Sequence, residues 1–186
     1  MERRIFAVYD EQNIRVYQAY NDNIADEAIK LGTFGEPFKL SRMTWIKPSF
    51  LWMMYRSDWG EKEGQGRILA IDIKREGFDF IVKNAVLTSF SPEIHNTYEQ
   101  WKNVLSKSEI RCQWDPERDI YGNPLSNKTI QLGIKGNVSK SYVLDWIVKI
   151  SDITKEVQNI KEAIKFNNFT GNMLPSEKEY FIKIHS

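Results

Sequence analysis

Between Arg42 and Trp59 the chain reads RMTWIKPSFLWMMYRSDW, and nowhere else do bulky aromatics and cations alternate so closely. Trp45, Trp52 and Trp59 stand with Phe50 and Tyr55 among Arg42, Lys47 and Arg56. An aromatic face accepts a flat ring or a cation, and a planar guanidinium matches two phosphate or carboxylate oxygens at once. Trp45, Lys47, Tyr55 and Arg56 therefore suit a pocket where a planar ring and an anionic group meet, as in a nucleotide, a phosphate or nucleic acid. The same pattern also fits a core helix whose cations reach water on their aliphatic stems.

Two other stretches carry polar groups at usable spacing. In VYQAY, strand alternation puts Gln18 and Tyr20 on one face and Tyr17 on the other. In QWDPER, Gln113 can point inward while Asp115 and Arg118 stand at the rim of a pocket; the competing reading is a turn in which Arg118 pairs with Asp115. Imidazoles and thiols are too few for other chemistries. A zinc centre or a Ser-His-Asp triad would need imidazoles that this chain, with only His95 and His185, barely has, and the single Cys112, read as a small buried apolar side chain, forms neither an intrachain disulfide nor a thiolate cluster. Carboxylates, amides, hydroxyls and aromatics are left to do the work.

These residues need a scaffold. The 186 residues are enough for one domain with a proper core, and 26 basic against 25 acidic side chains give no global argument for nucleic acid or an anionic membrane. The first residues contain no apolar run long enough for a signal peptide, and no stretch is long enough to span a membrane, which predicts a cytoplasmic protein. Ile5 to Tyr9 and Ile14 to Tyr20 predict a hairpin around the polar turn at 10–13. Asn21 or Asp22 caps a helix through Ile24, Ala28 and Ile29 that stops at Gly32, and Pro48 opens a second, with Phe50, Leu51, Met54 and Tyr55 along its apolar stripe. RILAIDIK, from Arg67, predicts a central strand. Helices are predicted over Glu76 to Val86, Thr97 to Leu105, Ser139 to Leu144 and Thr154 to Phe166. Strands are predicted over Ile110 to Trp114 (ended by Asp115 and Pro116), Ile130 to Ile134 and WIVKI, with a loop at Ser126 to Thr129. The tail from about 167 reads as loosely packed, with an edge strand in its YFIKI segment. Interspersed strands and helices with no linker give the fold class, a single mixed α+β domain over 1–186.

Taken together, VYQAY, MTWIKPSFLWMMYRS, RILAI, QWDPER and DWIVKI resemble a family of small bacterial and eukaryotic proteins catalogued as a domain of unknown function, over nearly the whole chain. The order of parts also resembles the ADP-ribosyltransferase superfamily. The shared order is a strand ending in Tyr-Gln-x-Tyr, an Asn-capped helix closing on glycine, an aromatic helix, a central strand and a late acid before IVKI. That second resemblance implies a small split sheet flanked by helices and NAD as the bound dinucleotide. It implies that Gln18 stands where the superfamily has a histidine or arginine on the ribose, that Tyr55 or Trp45 stacks on nicotinamide, and that Asp145 assists the reacting ribose. It also implies that Tyr20, Arg42, Lys47, Arg56 and Arg67 bind the rest of the cofactor. Gln18 is neither histidine nor arginine, and Asp145 is shorter than the usual glutamate. The rival expectation is a non-catalytic RNA-binding module, with Trp45, Tyr55 and Trp59 stacking on bases while Lys47, Arg56 and Arg118 hold phosphates.

Overall fold

Alternating side chains decide where the two principal strands lie. In β2 (Asn13–Tyr20) and β4 (Arg67–Lys74), Ile14, Val16, Leu69, Ile71 and Ile73 face one core, while Tyr17, Ile68 and Ala70 face another. A strand that is apolar on both faces must be covered on both. β4 accordingly runs between β2 and β8 (Ile147–Asp152) in a three-stranded antiparallel sheet. In this computed structural model, which describes residues 1–182, that sheet and a second one build a single α+β domain.

The second sheet has the order β3-β7-β6-β5, made from Thr44–Ile46, Pro124–Ile134, Ile110–Arg118 and Val86–Leu87. It is antiparallel except between β5 and β6. The two sheets meet where Tyr17 bridges to Lys47, the Tyr17 N–H donating to the Lys47 carbonyl at 2.8 Å. Lys47 therefore stands at the seam. The predicted hairpin closes at 10–13, where the Asp10 carboxylate accepts from the Gln12 and Asn13 amides and Tyr9 bridges to Ile14. Its first strand, β1 (Phe6–Ala7), pairs with β9 (Lys178–Glu179).

Helix α1 (Asp22–Leu31) has the caps its sequence announces: the Asn21 side chain accepts from the Ile24 N–H, and Gly32 ends it at φ 72°, a left-handed turn that glycine adopts without strain. Helix α2 (Phe50–Ser57) begins two residues later than its proline suggests, because Ser49 supplies the side-chain cap to the Trp52 N–H. Its buried side, with Phe50, Met53 and Met54, joins Val157 and Ile160 of α6 (Thr154–Lys165) against one face of the first sheet. The remaining helices are α3 (Arg75–Asn84), α4 (Tyr98–Lys107) and α5 (Gly136–Ser141), the last followed by a π-helical turn at Tyr142–Trp146.

Three expectations are corrected. Asp115 and Pro116 do not stop their strand: β6 continues to Arg118, because β5 pairs only as far as Cys112 and the proline then lies on an open edge where no donor is needed. Residues 126–129 extend β7 opposite that continuation and are strand, not loop. The tail is packed, with its edge strand at Lys178–Glu179. Tyr180 is buried and donates to Asp79, and the Glu177 carboxylate accepts from the Phe50 N–H at 2.7 Å. The YFIKI segment beyond Ile182, and His185, lie outside the described residues. Among the described residues no helix is long and apolar enough to cross a membrane.

Candidate functional site

The loop from α1 to β3, the strand β3 itself, α2 and the inner faces of β6 and β7 surround a cleft of about 800 Å³, ample for a nucleotide. It takes in Gln18, Tyr20, Arg42, Trp45, Lys47, Arg56, Gln113 and Asp115 from the sequence-predicted residues. They arrive from β2, β3, α2 and β6, elements far apart in the chain.

The floor is a closed polar network. The Gln18 amide donates to the Tyr20 hydroxyl at 2.9 Å and to Thr44 Oγ1 at 2.7 Å, its carbonyl accepts from the Tyr142 hydroxyl at 2.8 Å, and Tyr20 and Thr44 share a bond of 2.6 Å. Gln18 is 2% exposed, so both its N–H groups are committed inside the protein. It holds Tyr20 and Thr44 in place and has no donor left for a ribose hydroxyl. Burial pushes the Tyr20 phenol up to about 12, which keeps it a neutral hydroxyl near pH 7.

One wall presents a carboxylate. Strand alternation puts Gln113 and Asp115 on the same face of β6, and cross-strand pairing sets Gln131 of β7 opposite Gln113. Asp115 Oδ1 accepts from Gln113 Nε2 at 2.9 Å, and Oδ2 accepts from Gln131 Nε2 at 3.0 Å. Neutral amides orient a carboxylate without cancelling its charge. Among the described residues Asp115 has no salt bridge.

The rest of the lining is cationic and aromatic. Arg42 and Arg56 are exposed at the cleft rim, and none of the salt bridges among the described residues includes them or Lys47. Lys47 is 6% exposed, and its ammonium donates to the Trp45 carbonyl at 3.1 Å. Burial, and then the nearby Arg56, push it down to about 7, with Asp115 opposing the shift. Trp45 lies across the bare backbone of Gly133, its cross-strand neighbour, where an added Cβ would come within 3.0 Å of the indole and 2.8 Å of Met43 Sδ. The amino end of α1 opens on the same cleft through Asn21 and Ile24, adding partial positive charge.

Four predicted residues lie elsewhere. Tyr55 is 45% exposed, stacks on Trp52 at 5.3 Å, and has the Arg118 guanidinium 3.9 Å from its ring centre. Arg118 also donates to the Gly122 carbonyl, so this aromatic and cation satisfy each other outside the cleft, and Arg118 does not pair with Asp115. Arg67 is held by Asp152 and Asp26, each at 2.7 Å, and by Asp22 at 3.2 Å. Asp145 is exposed on the π-helical turn, which sends Tyr142 inward to Gln18 and leaves the acid outside. Asp115 lines the cleft and Asp145 does not.

Sequence reasoning passed over Thr44, Gln131, Ser49, Glu117 and Glu177. A polar residue inside the apolar run IQLGI was a usable signal for Gln131. Ser49, Glu117 and Glu177 tie the start of α2 to β6 and to the tail: Glu117 accepts from Ser49 Oγ at 2.9 Å and from the Arg118 N–H at 3.0 Å. Burial pushes both acids up, Glu177 to about 8. Among the described residues no three His, Cys, Asp or Glu side chains are grouped to hold a metal ion.

Comparison with curated proteins gives no match. A family model described as "Domain of unknown function (DUF4291)" matches residues 4–180, which include both sheets and every residue of the cleft. The chain belongs to that family.

Proposed function

We propose that the cleft binds a dinucleotide of the NAD class and that the protein transfers ADP-ribose from it, with Asp115 as the carboxylate at the reacting ribose. The observation that carries this reading is Asp115 itself: a carboxylate oriented by Gln113 and Gln131, with no salt bridge among the described residues, in a cleft also lined by Arg42, Arg56 and Trp45. Arg42 and Arg56 suit a pyrophosphate because they have no ion pair among the described residues, and Trp45 offers a ring to stack on. NAD supplies a ribose carbon bonded to a neutral leaving group, nicotinamide. Fixed negative charge at Asp115 favours the positive charge that grows on that ribose as the bond breaks. Tyr20 and Thr44, fixed by Gln18, offer hydroxyls to the sugar. The free buried Cys112 agrees with a cytoplasmic setting.

The RNA-binding alternative has less behind it. Trp59 packs edge-on against Phe50 and the Tyr55 ring carries Arg118, so two of its three stacking residues are engaged within the protein. The deciding experiment is release of nicotinamide from NAD by the purified protein. Asp115→Asn should lower the rate by roughly 100-fold, as removal of one preorganised electrostatic group commonly does. An unchanged rate in Asp115→Asn would remove Asp115 from the reaction.

A further inference from the structure

Lys47 is the group in the cleft that nucleotide binding does not explain. It sits at the seam between the sheets, its backbone pinned by the Tyr17 N–H and its side chain 6% exposed, yet it lines the cleft. Its nitrogen has one hydrogen bond, to the Trp45 carbonyl, and no carboxylate within ion-pair distance among the described residues. Phosphate binding calls for a full positive charge, which Arg42 and Arg56 already provide at the rim. A buried amine flanked by an arginine is instead built to shed its proton.

We propose that Lys47 is a nucleophilic amine that captures the aldehyde carbon of a phosphorylated reducing sugar as an imine, while Arg42 and Arg56 hold the phosphate. The proposal rests on the reading of this cleft as a phosphate-binding site and deepens it by naming the sugar carbonyl as a reacting group. Free ADP-ribose and ribose 5-phosphate both belong to the class, because each has an unsubstituted anomeric carbon that opens to an aldehyde. The Lys47 lone pair bonds to that carbon, and the carbonyl electrons move to oxygen, which takes a proton. Loss of water then leaves a protonated imine, and no oxidant or reductant is consumed. The proton that the carbonyl oxygen takes comes from the amine nitrogen, and solvent supplies the one that departs with water.

The charged groups that act on the amine are Arg56 from α2 and Asp115 from β6, and Lys39, Arg42 and Glu63 line the same cleft from its loops. Positive charge predominates among them. With the ammonium held down to about 7, roughly half of it is free amine at pH 7, against roughly one part in a few thousand for an ordinary lysine.

The test incubates the full chain with ribose 5-phosphate and cyanoborohydride, which reduces an imine to a stable secondary amine, and maps the modified lysines by mass spectrometry. The expected result is modification of Lys47 at least tenfold faster than any other lysine, half-maximal near pH 7, and at least tenfold slower with unphosphorylated ribose. Lys47→Arg should lose the fast site. The wild-type map decides the question even if that variant folds poorly. Equal labelling across surface lysines, or labelling of Lys47 only above about pH 9, overturns the proposal. Thermal stabilisation by ADP-ribose without a Lys47 adduct overturns it too, while sparing the nucleotide reading. A fast, phosphate-dependent adduct on Lys47 without stabilisation by NAD or ADP-ribose supports it and removes the nucleotide reading.

Discussion

Arg56 and Arg67 flank the same glycine-rich loop and have opposite fates. Arg67 opens β4 and is gripped by Asp152, Asp26 and Asp22, which joins the first sheet to α1 and to the end of β8. Arg56 ends α2 and has no ion-pair partner among the described residues, as is true of Arg42 and Lys47 in the same cleft. The difference is whether the fold brings carboxylates to the cation. Where it does, the charge stabilises structure; where it does not, the charge is free for an anion from solution.

The largest effect that sharpens this contrast is loss of the Arg67 clamp. Arg67→Ala should cost about 2 kcal/mol, most of it from the partly buried Asp152, since Asp22 and Asp26 are exposed. Chemical denaturation measures it, and the variant's remaining folded fraction should bind ligand normally. Next comes the opposite case. Arg56→Ala should weaken ADP-ribose binding about tenfold, or about 1.4 kcal/mol, while moving stability by less than about 0.5 kcal/mol, read by calorimetric titration beside a melt. Should Arg56→Ala unfold the protein and Arg67→Ala abolish binding, the contrast is broken.

A smaller effect tests the aromatic wall. Gly133→Ala pushes a methyl group into Met43 and the Trp45 indole, and about 1 kcal/mol of ligand affinity should go with the displaced ring, visible as a changed tryptophan fluorescence response. The last concerns the tail. Glu177 is held up to about 8 in the fold by burial and sits near its ordinary value of 4.5 when unfolded. The folded state therefore binds the proton more tightly. The stability this acid contributes is complete below about 4.5 and is lost as pH rises to about 8. Melting temperatures across that range should decline less steeply in Glu177→Gln than in wild type.

The parts of this molecule that could be read from its sequence are those that local chemistry fixes. Asn21 and Gly32 bound α1 because a capping side chain and a left-handed glycine act within one turn. The alternation in RILAIDIK marks β4 as central because both faces are apolar. Gln113 and Asp115 were legible as polar groups beside a pocket, although not as neighbours on one face of a strand that continues past a proline, since that depends on where β5 stops. Asp145 was placed by the order of elements along the chain. The π-helical turn that exposes it is set by Tyr142 reaching Gln18, a partner 124 residues away in sequence. Gln131 beside Asp115, Glu177 beneath Phe50 and Arg118 over Tyr55 are likewise meetings of distant segments, which no local pattern announces.

The most direct measurement of the central claim is thermal stabilisation of the wild-type protein and the Arg42→Ala/Arg56→Ala double variant by ADP-ribose, NAD and a short RNA. Each should be measured at about 50 mM and about 200 mM salt. The account predicts that NAD or ADP-ribose stabilises the wild type at both salt concentrations, and that the double variant loses most of that shift while keeping its own melting temperature. Stabilisation by RNA alone, vanishing at the higher salt, or an undiminished shift in the double variant, would contradict it.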